Sequence, residues 1–153
     1  MIMKKYLFLT LLCLFSLCLD LNAELFSGEC GQSGSNLTWT LDTETGKLVI
    51  SGTGKITDSS WYKYKDYIRS VDIQDGITNI VSSAFADCTN LKDVIIPGSV
   101  TGISYYAFRG CTSLNTISIP SGVQYIGSSA FDGCTGLLSI TIPCSSVESY
   151  AFQ

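Results

Sequence analysis

Residues 91–113 read LKDVIIPGSVTGISYYAFRGCTS, and residues 114–136 read LNTISIPSGVQYIGSSAFDGCTG. Laid one above the other, the two lines agree in residue type at nearly every apolar position. Pro97, Pro120 and Pro143 stand 23 residues apart, as do Cys88, Cys111 and Cys134. The pairs Ala84-Phe85, Ala107-Phe108 and Ala130-Phe131 keep that step. So do Ile68, Leu91, Leu114 and Leu137, then Val71, Val94, Ile117 and Ile140, and Ile73, Ile96, Ile119 and Ile142. A fixed period in the twenties marks a solenoid, in which each repeat is one coil and buries its apolar face only by stacking on its neighbours.

Each repeat follows one script. Leu91 to Ile96 has the form Leu-x-x-Val-x-Ile, a short strand with alternate side chains pointing inward. Proline ends it, because proline cannot donate to the ladder. Val100 and Ile103 return to the core from a second extended stretch. Tyr106 to Cys111 then turns the chain, with Phe108 as a large inserted anchor and Gly110 freeing the backbone. The last repeat is shorter, since Ala130 to Ala151 spans 21 residues.

Ahead of the repeats, Leu37 to Leu41 and Lys47 to Ser51 alternate with a period of two around the turn Asp42 to Gly46, which predicts a β-hairpin. The aromatic-rich Trp61 to Ile68 is expected to hold a short helical turn. Residues 24–67 suit a terminal cap, with Trp39, Leu41, Leu48 and Ile50 covering the first coil. The chain opens with Lys4 and Lys5 and an apolar run from Tyr6 to Leu19, too short for a membrane span of roughly 20 residues. Residues 1–23 therefore read as a signal peptide ending near Asn22-Ala23, with an uncleaved N-terminal anchor as the alternative. The expected organisation is a signal peptide (1–23), a cap region (24–67) and about three and a half repeats (68–153), the last incomplete.

Removing Lys4, Lys5 and Asp20 leaves seven basic and twelve acidic residues, a net charge of −5. Nucleic acid and anionic membrane need a basic surface, so neither is expected as a partner. Five cysteines remain beyond the signal, and the three periodic ones are expected to form a ladder of small buried thiols. Cys144 has no counterpart in the other repeats and is expected to be the more reactive thiol.

No catalytic, cofactor-binding or metal-binding residue is assigned. Histidine is absent, which removes the commonest general base, and there is no Cys-x-x-Cys pair for zinc. Gly52-Thr53-Gly54-Lys55 lacks the flanking residues of a phosphate-binding loop. An enzyme is not expected.

The binding candidates are exposed positions that the stack should align. Asp72, Ile95, Ser118 and Thr141 form one column, and Ser70, Asp93, Thr116 and Ser139 another. Ile95 is the one apolar residue among them. Tyr105, Tyr106, Tyr125 and Tyr150 are a second candidate group, with Trp61, Tyr62, Tyr64 and Tyr67 in the cap region. Asp87 and Asp132 are read as one column with Arg109 between them, a solvated charge ladder.

Ile-Pro-x-x-Val-x-x-Ile followed by Ala-Phe-x-x-Cys-x-x-Leu resembles the BspA-type leucine-rich repeat of bacterial and protist surface proteins. Residues 68–153 carry the pattern, and the leading segment with Cys30-Gly31, Leu37-Thr38-Trp39 and Ser60-Trp61-Tyr62 resembles the non-repeating region that precedes such repeats. The resemblance implies a β-rich leucine-rich-repeat solenoid with an N-terminal β-hairpin cap. It also implies a secreted or cell-surface protein that binds an extracellular or host protein, or a glycan, without cofactor. The alternative is a non-catalytic N-terminal portion of a longer surface protein whose working part lies downstream. The open apolar edge of the last repeat is expected to drive self-association.

Overall fold

The computed structural model describes residues 23–31, 36–143 and 146–153. The expected signal peptide, apart from Ala23, and Cys144 lie outside the described residues. The fold is a β-solenoid of about four turns with little helix.

One run of coil strands comprises β5 (Ser70–Ile73), β7 (Asp93–Ile95), β9 (Thr116–Ser118) and β11 (Ser139–Thr141). β5 and β7 pair in parallel, as do β9 and β11, with each residue facing the one 23 positions on. The second run comprises β4 (Gly54–Lys55), β6 (Ile77–Ile80), β8 (Gly102–Ile103), β10 (Tyr125–Ile126) and β12 (Ser146–Val147), parallel throughout. Between the two runs lie the buried columns Val71–Val94–Ile117, Ile73–Ile96–Ile119 and Ile80–Ile103–Ile126.

At the N-terminal end, β1 (Leu25–Glu29), β2 (Leu37–Asp42) and β3 (Lys47–Gly52) form an antiparallel meander. The hairpin read from the alternation of Leu37–Leu41 and Lys47–Ser51 is present. β3 has a second role. It pairs in parallel with β5, Leu48 facing Val71 and Ile50 facing Ile73, so the 23-residue step runs one coil further upstream than Ile68. The 3-10 helix Ser60–Tyr67 occupies the place where later coils make their phenylalanine turn.

That turn supplies the spine of the molecule. Trp61, Phe85, Phe108, Phe131 and Phe152 stack face to face, with ring centroids 5.7, 5.2, 5.3 and 5.1 Å apart. Trp61, Phe85 and Phe108 are wholly buried, whereas Phe152 ends the stack with one face open. Backbone bonds of 2.8 Å from Phe85 to Ala107, Phe108 to Ala130 and Phe131 to Ala151 lock successive turns together. The last of these spans the shortened repeat, so Ala151 and Phe152 recover the alanine and phenylalanine positions. Strand pairing locates the shortening: Thr141 still faces Ser118, but Val147 faces Ile126, a step of 21.

Each turn holds two residues in the left-handed region. Ser83, Tyr106 and Ser129 share one position at φ between 54° and 57°, and Asp87, Gly110 and Gly133 share the other. A side chain on Gly110 would meet the Asp87 carboxylate at 2.5 Å, so glycine there serves both the backbone and the close approach. This corrects the charge-ladder reading. Asp132 lies one residue short of two full periods from Asp87, so the two aspartates are not in one column. Asp87 sits with the glycines and meets Arg109 only through its backbone N–H, 2.6 Å from Arg109 O, whereas Asp132 is in the Arg109 column, their charged groups 3.5 Å apart.

Candidate binding surface

The parallel register sets the geometry of the first candidate group. Asp72 faces Ile95 across β5 and β7, and Ser118 faces Thr141 across β9 and β11. Ser70 faces Asp93, and Thr116 faces Ser139, in the adjacent column. Alternation turns Val94 and Ile117 inward and leaves Asp93, Ile95, Thr116, Ser118, Ser139 and Thr141 exposed. Two rows of mostly hydroxyl side chains thus lie on one face, built from β5–β7 and the separately paired β9–β11, and Ile95, 61% exposed, stands among them.

The face is not uniform along the stack. Asp72 is half-buried and ion-paired with Lys47 of β3 at 3.0 Å. An exposed pair of this kind contributes about 0–1 kcal/mol and mainly occupies Asp72. From β7 onward the columns are free of such pairing among the described residues. A third column, Arg69–Lys92–Asn115–Leu138, stands at the start of each strand and is exposed at all four positions. It keeps the 23-residue step, bonded Lys92 N to Arg69 O (2.9 Å) and Leu138 N to Asn115 O (3.2 Å). Sequence reasoning missed it because its residue types vary, although its register was readable. It passes from cationic through polar to apolar along the solenoid, and Leu138 is 87% exposed.

The tyrosines are placed elsewhere. Tyr125 lies in β10, on the other sheet from the strand columns, and Tyr105 follows β8 there; the rings meet edge to face at 6.3 Å. The Tyr105 hydroxyl, burial and the Glu148 carboxylate together hold the Tyr125 phenol above its usual range. Tyr106 occupies the left-handed corner, with the Arg109 guanidinium 5.8 Å from its ring centroid. The structure therefore groups Tyr105 with Tyr125 but does not bring them to Asp93, Ile95 or Thr116. In the cap region, Tyr64 stacks on Phe26 at 4.1 Å and Trp61 is buried, so both serve packing, while Tyr62 and Tyr67 are exposed.

Neither group forms a concave, enclosed site. The surface can recognise a partner by shape, hydroxyl hydrogen bonds and a small apolar contact, chemistry suited to association.

Three comparisons bear on this arrangement. No curated protein matches. Among solved structures, a leucine-rich repeat protein from Eubacterium ventriosum is similar over 82% of this chain and 40% of its own, at 23% identity and a TM-score of 0.61. The leucine-rich repeat protein of T. pallidum is similar over 80% of this chain and 65% of its own, at 20% identity and a TM-score of 0.62. A leucine-rich repeat protein from Bacteroides ovatus is similar over 91% of this chain and 43% of its own, at 18% identity and a TM-score of 0.53. At these identities the likeness establishes the fold, and this chain spans less than two thirds of each. The family description "BspA type Leucine rich repeat region (6 copies)" matches residues 49–153. Its first matched residue lies in β3, consistent with the parallel pairing of that strand. With more than half of its length matched and the solenoid register continuous through it, this chain belongs to the BspA-type leucine-rich repeat proteins.

Proposed function

We propose that this chain is a secreted or surface-displayed binding scaffold that engages an extracellular or host protein through the β7–β9–β11 face. Proteins of this repeat type are generally non-catalytic scaffolds, and bacterial members are commonly found at the cell surface. The observation that carries the reading is the exposed Ile95, with Asp93 on the same strand, beside the register-paired β9 and β11 that expose Thr116, Ser118, Ser139 and Thr141. An apolar anchor ringed by polar groups is the usual composition of an interface centre. Immobilised residues 24–153 should capture a partner from a panel of extracellular-matrix proteins and glycans. Ile95→Asp should weaken that binding by about tenfold or more, equivalent to roughly 1.4 kcal/mol, and leave the melting temperature unchanged. A hit that Ile95→Asp and Thr116→Arg leave untouched would move the site off this face, with the Tyr105–Tyr125 pair next to be tested. A glycan hit that depends on Ile95 would keep the face and change the partner class.

A second reading, as the N-terminal portion of a longer surface protein, is favoured by the open apolar face of the last coil. Leu138, Val147 and Phe152 are exposed there, and β11 is paired on one side only. Residues 24–153 alone should associate across a two-fold axis, β11 against β11 of a second copy, because an unpaired edge over apolar surface recruits a like edge. Appending one coil copied from residues 107–129 with a polar outer face should abolish the association seen by light scattering. A monomer from the unmodified chain at high concentration contradicts this.

A further inference from the structure

The cysteine column is more than a filler of the turn. Cys88, Cys111 and Cys134 stand at one corner of three successive coils, and all three are free thiols. Cys111 donates its S–H to the Phe85 carbonyl at 3.1 Å, and Cys134 donates to the Phe108 carbonyl at 3.0 Å. Each thiol therefore reaches back toward the coil before its own, which brings the Cys134 sulfur toward the coil that carries Cys111. Phe108 N bonds Ala130 O at 2.8 Å and Gly110 N bonds Asp132 O at 2.7 Å, clamping the two corners together. Neighbouring strands in such a stack lie about 4.8 Å apart. That separation falls inside the Cα range of roughly 4.4–6.8 Å that a disulfide accepts.

Access separates the three thiols. Cys88 and Cys111 are buried, whereas Cys134 is half-buried and lines the open groove of the last coil with Leu137, Leu138, Ile140 and Phe152. Burial pushes the Cys88 thiol up to about 12, so it carries almost no thiolate at neutral pH. Contact with the Cys134 thiol, together with burial, holds Cys111 protonated as well. An oxidant from solvent thus meets Cys134 first.

We propose that Cys111 and Cys134 are an inter-coil dithiol that closes to a disulfide on exposure to a small-molecule disulfide, with Cys134 as the attacking thiol and Cys111 as the resolving one. The Cys134 thiolate attacks one sulfur of the oxidant, whose S–S bond breaks, and the released thiolate takes the proton that Cys134 gave up. The Cys111 sulfur then attacks the Cys134 sulfur of the mixed disulfide and loses its own proton to the departing second thiolate. Two electrons and two protons pass from the protein dithiol to the oxidant, which leaves as two thiols. Closure exchanges the two thiol–carbonyl hydrogen bonds for a covalent link between the last two complete turns, under the open apolar face.

The test uses residues 24–153 and glutathione disulfide, followed by alkylation of remaining thiols, non-reducing digestion and mass spectrometry. The expected product is a peptide pair joined through Cys111 and Cys134, reversed by dithiothreitol, with Cys88 alkylated only after denaturation. Oxidation should raise the melting temperature. Cys111→Ser should stop at a persistent glutathione adduct on Cys134, and Cys134→Ser should give neither adduct nor link at this corner. Cys134 is half-buried, so its serine variant should fold even if Cys111→Ser does not; circular dichroism checks both. A wild-type chain that only accumulates the Cys134 adduct overturns the proposal. So does a chain that remains unmodified, that links between molecules, or that pairs Cys134 with Cys144 or Cys30.

Discussion

Replacing Phe108 with alanine should cost about 3–5 kcal/mol, the usual range for truncating a buried aromatic. The ring is wholly buried and sits between two others, with Phe85 at 5.2 Å and 16° on one side and Phe131 at 5.3 Å and 8° on the other. Two stacked contacts are lost, each adding roughly 0.5–1.5 kcal/mol beyond area burial. The void cannot close by collapse, because the bonds from Phe85 to Ala107 and from Phe108 to Ala130 hold the coil spacing fixed. Chemical denaturation of the variant beside Thr112→Ala, an exposed neighbour, measures the effect. A midpoint shift no larger than the control's would remove Phe108 from the role of anchor. In a solenoid the damage should also be local in the first instance. Hydrogen exchange should speed up at the Cys88, Cys111 and Cys134 corners before it does in the β1–β2–β3 meander.

Trp61→Ala should be of similar size, about 3–5 kcal/mol, but for two separable reasons. The indole stacks on Phe85 at 5.7 Å and touches Trp39 edge-on at 6.4 Å. Its Nε1–H also donates to the Ala84 carbonyl at 2.8 Å, a buried bond that joins the 3-10 helix to the first phenylalanine turn. Trp61→Phe keeps a ring in the spine and leaves that carbonyl unpaired, which should cost about 1–3 kcal/mol. Equal losses in the two variants would mean that the hydrogen bond, rather than the stack, secures the N-terminal end. A phenylalanine variant as stable as the parent would mean the reverse.

The repeat was legible because one residue type returned to one structural position: Pro97, Pro120, Pro143, the Ala-Phe pairs and the cysteines need only counting. The coil carried by β3 escaped the same count. Leu48 and Ile50 keep the step, but no proline follows them, and Trp61 replaces the Ala-Phe marker from within a helix. Asp87 and Asp132 share a residue type but not a structural position, since 45 residues separate them and two periods make 46. Exposure of Asp93, Ile95, Thr116 and Ser118 followed from strand alternation, since their neighbours had to be inward. Two features of the surface did not follow. Lys47 reaches Asp72 only because β3 lies in the coil sheet. Tyr105 and Tyr125 meet because the second sheet sets successive coils side by side, although neither residue is a period from the other. What the surface binds is not encoded in spacing, because a flat array of hydroxyls has no unique complement.

The shortened last coil bears on how such a chain can be altered. Between Thr141 and Ser146 the coil is two residues shorter than its siblings, yet the rings of Phe131 and Phe152 still stack at 5.1 Å and only 3° from parallel. Coil length and spine geometry are therefore decoupled at the corner that follows the proline. The loss of two residues from this coil leaves the pitch of the aromatic column unchanged, at 5.3 and then 5.1 Å. The earlier corners are tied more closely: Val100 N and Val123 N bond Pro97 O and Pro120 O at 3.1 Å, and Ser99 Oγ donates to Ile77 O at 2.8 Å, so a peptide inserted after Pro97 would have to replace those bonds.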